Sequence, residues 1–179
     1  MNNEEDSYMQ TFTGKYVKPL DLKYEDIDIM DIAHHLSLIC RFNGACKRFY
    51  SVAQHSIMVA NLVSKHDKLA ALLHDASEAY MADVIRPIKY SIPNIKIIED
   101  RIAIKILAKF NCYGVDWTVV KKADNIMLAT ERRDLMAETD EDRWNLTEEP
   151  MPTKITPWES RTAAIAFQSM AGQLILGNH

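Results

Sequence analysis

Four imidazole or acidic side chains lie within ten residues of one another in the stretch LAALLHDASEAYMADVIRPIK. They are His74, Asp75, Glu78 and Asp83. The stretch begins as an amphipathic helix rich in Ala and Leu, and charged groups on such an apolar face are costly to bury without a partner. These side chains therefore either lie in solvent or surround a positive charge.

Two further polar side chains fall on apolar helix faces. His55 shares its face with Val59, and Asp124 shares its face with Leu128, four residues further along in each case. Burying an ionised carboxylate costs several kcal/mol, so Asp124 needs a cation, strong donors or a raised pKa. Taken singly, an inward His or Asp is more often a hydrogen-bonded core residue than a metal ligand. A structural polar network without metal thus remains an alternative.

One divalent ion would explain all these side chains together. We expect His55, His74, Asp75 and Asp124 to converge from three helices, and two imidazoles with two carboxylates suit Zn, Mn, Co or Fe. Such an ion lowers the pKa of a bound water toward neutrality and can supply a nucleophile for phosphorus. Glu78 lies one helical turn after His74, beyond comfortable ligand distance, and is better placed to transfer a proton.

Hydrophobic spacing predicts that helices position these residues. We expect an all-α fold of six or more helices in one domain that covers 1–179, because a chain of 179 residues leaves little room for a second core. The predicted helices span 28–40, 51–66, 67–87, 93–110, 118–137 and 157–176. A short hairpin is predicted in TFTGKYVKPLDL, and the irregular segment 139–156 is interpreted as a lid or a loop.

Local signals set the predicted helix ends. Ser51 and Gln54 form a capping-box pattern, and Thr156 followed by Pro157 predicts the start of the last helix. Pro87 is expected to end the helix that carries the opening stretch, because proline cannot continue a helix interior.

Composition excludes several classes of protein. The chain is 47% apolar and 26% charged, as is typical of globular proteins, and its net charge of -4 gives no general attraction to nucleic acid polymers. No apolar run approaches the length of a membrane span, and the acidic start lacks the features of a signal peptide, so we expect a cytoplasmic protein. The three cysteines show no CxxC pairing, which argues against a disulfide framework or a zinc knuckle.

Several motifs carry a resemblance to a known family. YSVAQHS, ALLHDASEAY and KKADNI, together with Arg41, resemble the HD-domain metal-dependent phosphohydrolases over roughly 32–137. The most similar branches are the bacterial 5'-deoxynucleotidases and the short phage enzymes that hydrolyse dATP to deoxyadenosine and triphosphate. The resemblance implies that His55, His74, Asp75 and Asp124 bind the metal, that Glu78 is the catalytic acid or base, that Arg41 binds phosphate, and that Asp83 contacts the sugar or carries a proton.

The substrate follows less directly from the residues. Phe42 could stack on a nucleobase, and Gly44 would leave the base little side-chain contact. Lys89 and Lys122, with Arg86, flank the predicted site and could hold additional phosphates, with Mg on the phosphates. We favour dATP; hydrolysis of deoxynucleoside monophosphates and a non-catalytic nucleotide-binding regulator are the alternatives.

Assembly is also implied by the resemblance, since the related enzymes form dimers or larger rings. The apolar stretch AAIAFQSMAGQLIL near the C-terminus could supply such an interface. We favour the simpler interpretation that it completes the core.

Overall fold

The computed structural model describes residues 7–141 and 143–177. Within these ranges the chain forms one small hairpin and eight α-helices, which confirms the predicted all-α fold. The hairpin pairs β1 (Met9–Gln10) antiparallel with β2 (Tyr16–Val17). The helices are α1 (Ile29–Leu38), α2 (Val52–Asn61), α3 (Lys68–Leu72), α4 (Glu78–Met81), α5 (Arg86–Ser91), α6 (Pro93–Lys109), α7 (Trp117–Leu135) and α8 (Ser160–Leu176).

Two of the sequence expectations reach beyond these ranges. The acidic start, from which we expect no signal peptide, includes residues 1–6, and the predicted domain 1–179 includes both termini; 1–6 and 178–179 lie outside the described residues. Among the described helices, none combines the length and the apolarity that crossing a membrane requires.

The predicted helix 67–87 is wrong, because the structure divides this stretch into α3, α4 and the start of α5. Ala82 interrupts it with φ 69° and ψ 163°, a conformation no helix contains and one that a residue with a Cβ rarely adopts. Pro87 does not end a helix but lies in the first turn of α5. A backbone N–H in the first turn has no partner within the helix, so proline, which lacks this N–H, loses no hydrogen bond there. The predicted helix 51–66 also ends early, at Asn61.

Gln54 explains why the last helix starts later than predicted. The Ser51 hydroxyl accepts a hydrogen bond from the Gln54 backbone N–H (3.1 Å), but the predicted return bond from the Gln54 side chain is absent from the described contacts. That side chain instead donates to the Thr156 carbonyl (2.9 Å) and accepts from the Trp158 N–H (2.8 Å). Since α2 holds the chain in this way, Thr156 and Pro157 lie outside the helix and α8 begins at Ser160.

The core lies between α1, α2, α3 and α8. Helix α8 packs along α1 and also contacts α2 and α3, while α2 further contacts α7. The inward face of α8 is completely buried at Ala163, Phe167 and Ala171. This burial supports the interpretation of the C-terminal apolar stripe as core, although Ile165 and Leu176 on its other faces are exposed.

The connection between α7 and α8 is irregular, as predicted, yet it is bound to α7. The Arg133 guanidinium donates to the Met151 and Thr153 carbonyls (2.6 and 3.0 Å). The Asp134 carboxylate accepts from the Ile155 N–H (2.8 Å), and Ile155 is itself buried. These contacts fix the second half of the connection to the end of α7.

We expect Asp134→Ala to lower the free energy of unfolding by about 1–3 kcal/mol, because it removes a charged acceptor and leaves the Ile155 N–H without its partner. The bond to Arg133 holds the pKa of Asp134 below its usual range, with burial opposing and the Ile155 N–H adding to the effect. A depressed pKa stabilises the fold above the unfolded value and is lost as the pH falls through the folded value. Urea unfolding should therefore show the difference at pH 7, and the difference should shrink below about pH 4. Exposed Asp140, replaced by Ala, is the control and should change little; equal effects of the two substitutions would contradict this role.

Candidate metal centre

Three parts of the fold bring the predicted ligands together. His55 lies in α2, His74 in the turn that follows α3, and Asp124 in α7. His55 Nε2 is 3.4 Å from His74 Nε2 and 3.3 Å from Asp124 Oδ1. One ligand atom from each of these residues lies within 4.8 Å of the others, a spacing that could hold a metal ion.

Asp75, the fourth predicted ligand, borders the same point. Its Oδ2 lies 3.2 Å from His74 Nε2 and 3.6 Å from His55 Nε2. The same oxygen is 3.5 Å from the Arg41 Nη1 atom. The Asp75 carboxylate is thus shared between the candidate ligands and a guanidinium.

The outer nitrogen of each imidazole is already engaged, which orients the inner one. His74 Nδ1 lies 2.8 Å from the Ala71 carbonyl, and His55 Nδ1 lies 2.6 Å from Glu131 Oε1. Because both partners are acceptors, each Nδ1 donates a proton, and in the neutral imidazole Nε2 then presents its lone pair to the centre. Two imidazole nitrogens and two carboxylates that face one another attract either protons or a cation, so the donor set fits a divalent metal.

The pKa shifts of the cluster show how strongly its imidazoles and carboxylates interact. Burial acts to lower the pKa of His55, and so does the charge of Arg41. The carboxylates of Glu131 and Asp124 outweigh both effects and raise that pKa to about 9. The neighbouring imidazoles hold the pKa of Asp75 and of Asp124 below the ordinary range, although burial opposes this. The centre is therefore rich in negative charge.

Glu78 is a buried acid beside this cluster. Only 5% of the residue is exposed, and its Oε2 atom has no hydrogen-bond partner in the described part of the chain. Burial raises the pKa of Glu78 well above its usual value, and the nearby charges of Asp75 and Asp83 add to the effect. Both effects favour the protonated form of the Glu78 carboxyl group, and that form is able to donate a proton.

Asp83 and the lysines differ in their surroundings. Burial raises the pKa of Asp83, with the Asp75 charge acting in the same direction and the Arg41 charge against it. Lys89 is paired with Glu99 at 2.6 Å, between α5 and α6. Asp83 is therefore close enough to the cluster to sense the charges of Asp75 and Arg41. Lys89, by contrast, already has a protein partner.

Lys121, rather than the predicted Lys122, contacts a candidate ligand. Lys122 is exposed, whereas Lys121 forms an ion pair of 2.7 Å with Asp124. Helix spacing explains this, since residues three apart lie on adjacent positions of a helix surface and residues two apart do not. Arg86, the other flanking cation, is exposed.

Arg41 and Phe42 stand in a strained turn next to the cluster. The turn Arg41–Gly44 has positive φ at Phe42 (55°), Asn43 (52°) and Gly44 (80°). For residues with a side chain this left-handed conformation is costly and is concentrated at functional sites. The Arg41 guanidinium carbon lies 5.1 Å from the Phe42 ring centroid. The turn therefore presents an aromatic face beside the guanidinium.

The long connection reaches this aromatic face. Trp144 contacts Phe42 edge to face, with ring centroids 5.6 Å apart and an interplanar angle of 70°. Sequence patterns showed only that the connection is irregular, because a contact between residues so far apart in the chain leaves no local periodicity.

Glu131 was missed by the sequence reasoning. It lies in α7, is completely buried, and binds both His55 and Arg41. A signal was present, because Glu131 follows Asp124 by two helical turns and shares its inward face. A second carboxylate on that face should have been assigned to the same site.

No protein-family model matches the chain. The chain is 46% identical over 129 residues to the uncharacterized protein YfdR of Escherichia coli strain K12, and the match covers 72% of each chain. It is 33% identical over 127 residues to the uncharacterized protein RCAP_rcc00048 of Rhodobacter capsulatus, and the match covers 65% of each.

Proposed function

The chain belongs to the same family as the Escherichia coli protein YfdR, and we propose that it catalyses metal-dependent hydrolysis of deoxynucleotide phosphates. The proposed reaction is the cleavage of dATP to deoxyadenosine and triphosphate, in an HD-type phosphohydrolase. The ion is Zn, Mn, Co or Fe, because mixed nitrogen and oxygen donors accept each of them. We also propose that the protein forms a homo-oligomer and is located in the cytoplasm.

One observation carries the proposal: a buried acid, one of whose oxygens has no partner among the described residues, lies beside a set of residues that could hold a metal. His55, His74 and Asp124 converge within 4.8 Å, and Glu78 lies next to Asp75 with one oxygen unbonded among the described residues. A purely structural polar network satisfies its buried groups, since each unsatisfied one costs free energy. The orphaned Glu78 oxygen favours a role in proton transfer.

Each residue then has a distinct part in the reaction. A bound divalent ion supplies a Lewis acid and lowers the pKa of water toward neutrality. Arg41 presents a planar fork of donors that suits phosphate oxygens. Glu78, whose protonated form is favoured by burial, donates a proton to the departing oxygen, and Asp83 relays a proton or contacts the sugar.

A 5'-deoxynucleotidase is the second candidate, and the surroundings of the lysines favour it. Three phosphates need more than one cation, yet Lys89 is bonded to Glu99 and Lys122 is exposed. A single phosphate needs little beyond the ion and Arg41. The number of phosphates therefore has to be decided by the products.

A product analysis distinguishes these functions. Metal-loaded protein is incubated with each deoxynucleoside mono-, di- and triphosphate, and the products are separated chromatographically. We expect triphosphate and deoxyadenosine from dATP; orthophosphate from monophosphates alone would assign a 5'-deoxynucleotidase. Nucleotide binding without products, in protein of verified metal content, would identify a regulator. The Glu78→Gln protein is the control for contaminating phosphatases.

The aromatic pair beside Arg41 should contribute to substrate binding. We expect Trp144→Ala to raise KM about two- to tenfold, because it removes an edge-to-face contact worth about 0.5–1.5 kcal/mol that holds the Phe42 ring. Steady-state kinetics measures this effect, with kcat little changed. Trp117→Ala, an exposed tryptophan at the start of α7, is the matched control. An unchanged KM in Trp144→Ala would show that the connection between α7 and α8 does not contribute to substrate binding.

A further inference from the structure

Glu131 holds two groups of the candidate site with one buried carboxylate. Its side chain is completely buried, and each oxygen faces a different group. Oε1 lies 2.6 Å from His55 Nδ1. Oε2 accepts from Arg41 Nε at 3.2 Å and from Arg41 Nη2 at 3.1 Å. The carboxylate therefore bridges the imidazole and the guanidinium inside the protein.

The bond to His55 determines what that imidazole offers to an ion. With its Nδ1 proton donated to a carboxylate, the neutral imidazole of His55 presents the Nε2 lone pair toward His74 and Asp124. A carboxylate behind a ligand imidazole also increases its basicity and prevents the ring from rotating.

The bonds to Arg41 determine where the guanidinium points. Because Nε and Nη2 are both bound to Glu131, the remaining Nη1 atom faces the Asp75 carboxylate at 3.5 Å. The donors of Arg41 are thereby aimed at the same place as the imidazole lone pairs. Without Glu131, neither orientation has this support.

Charge balance gives the same carboxylate a third effect. The carboxylates of Asp75, Asp124 and Glu131 face two cations, Arg41 and Lys121, so the cluster carries one net negative charge when both imidazoles are neutral. That charge attracts a divalent ion, and loss of Glu131 would remove it. We propose that Glu131 is the positioning residue of the metal centre, fixing His55 for the ion with one oxygen and aiming Arg41 at bound phosphate with the other. Only the second part of this inference, the aiming of Arg41 at phosphate, rests on the proposed function.

Metal affinity tests the first arm without any substrate. Glu131→Gln keeps the shape of the side chain but removes its charge, and we expect metal affinity to fall about 10- to 100-fold in competition with a chromophoric chelator. Asp31→Asn is the matched control, because Asp31 is also a completely buried carboxylate but binds the Thr13 backbone and hydroxyl in the hairpin. Equal metal affinities in wild type and folded Glu131→Gln would overturn the proposal.

A double-mutant cycle with inorganic triphosphate tests the second arm. Arg41→Gln should weaken binding of triphosphate to the metal-loaded protein by calorimetry, and this loss should shrink by a factor of about three or more in the Glu131→Gln background. Additive effects would overturn the coupling. If Glu131→Gln does not fold, Glu131→Asp retains the charge but is one methylene too short to reach both partners, and it should show the same loss of metal. Absence of deoxynucleotide hydrolysis would refute the proposed function while leaving the metal result intact.

Discussion

Asp124→Asn is expected to lose bound metal and hydrolysis together. The Asp124 oxygen lies 3.3 Å from His55 Nε2, and its carboxylate is one of the two that face the imidazole lone pairs. An amide keeps the shape but supplies no negative charge, so the ion loses both a ligand and part of its charge compensation. Metal analysis of the purified variant and the product assay measure the two effects.

The fold should survive this substitution, which separates loss of metal from misfolding. In the absence of an ion, burial opposes the ionised form of Asp124, but His55, His74 and Lys121 outweigh it and hold the pKa of the carboxyl below its ordinary range. We therefore expect the metal-free variant to fold but to melt at a lower temperature than the metal-free wild type, because it loses these attractive contacts. Asp100→Asn, at an exposed position of α6, is the control for removal of a carboxylate. Normal metal content in Asp124→Asn would exclude Asp124 as a ligand.

Glu78→Gln is expected to give the opposite combination, full metal content with little turnover. The raised pKa of Glu78, caused first by burial and then by Asp75 and Asp83, favours the protonated form of its carboxyl group. An amide of the same shape cannot transfer that proton, and general acid or base catalysis contributes about 10²- to 10⁴-fold to rate. We therefore expect kcat to fall by about that factor while KM changes little.

Metal analysis of Glu78→Gln is the decisive comparison. The centre formed by His55, His74 and Asp124 does not include Glu78, so the variant should retain its ion. Loss of metal equal to that in Asp124→Asn would show that Glu78 is a ligand. It would also refute the division between binding and proton transfer.

Sequence alone determined which side chains face inward. His55 and Asp124 were placed on apolar helix faces by spacing, and the structure buries His55 completely and leaves only 16% of the Asp124 side chain exposed. Most of the helices and the irregular connection followed from the same local signals, and so did a hairpin, although its first strand, Met9–Gln10, lies before the predicted segment. These features are readable because helix periodicity and turn chemistry depend on residues a few positions apart.

Helix boundaries were less readable where distant groups compete for the backbone. The predicted helix start at Thr156 was wrong because the side chain of Gln54, 102 residues earlier, donates a hydrogen bond to the Thr156 carbonyl. The predicted helix 67–87 failed because the chain adopts a positive φ at Ala82, which no local propensity favours.

Only the tertiary structure decided which buried groups are partners. Glu131 meets His55 across 76 positions and Arg41 across 90, and Trp144 packs on Phe42. Lys89 was assigned to phosphate from sequence, yet the packing of α5 against α6 pairs it with Glu99. Such contacts depend on the angles and distances at which helices pack, and these arise from the shapes of entire apolar faces. The sequence therefore identified the candidate ligands, whereas the packing of α2 against α7 supplied the carboxylate that orients one of them.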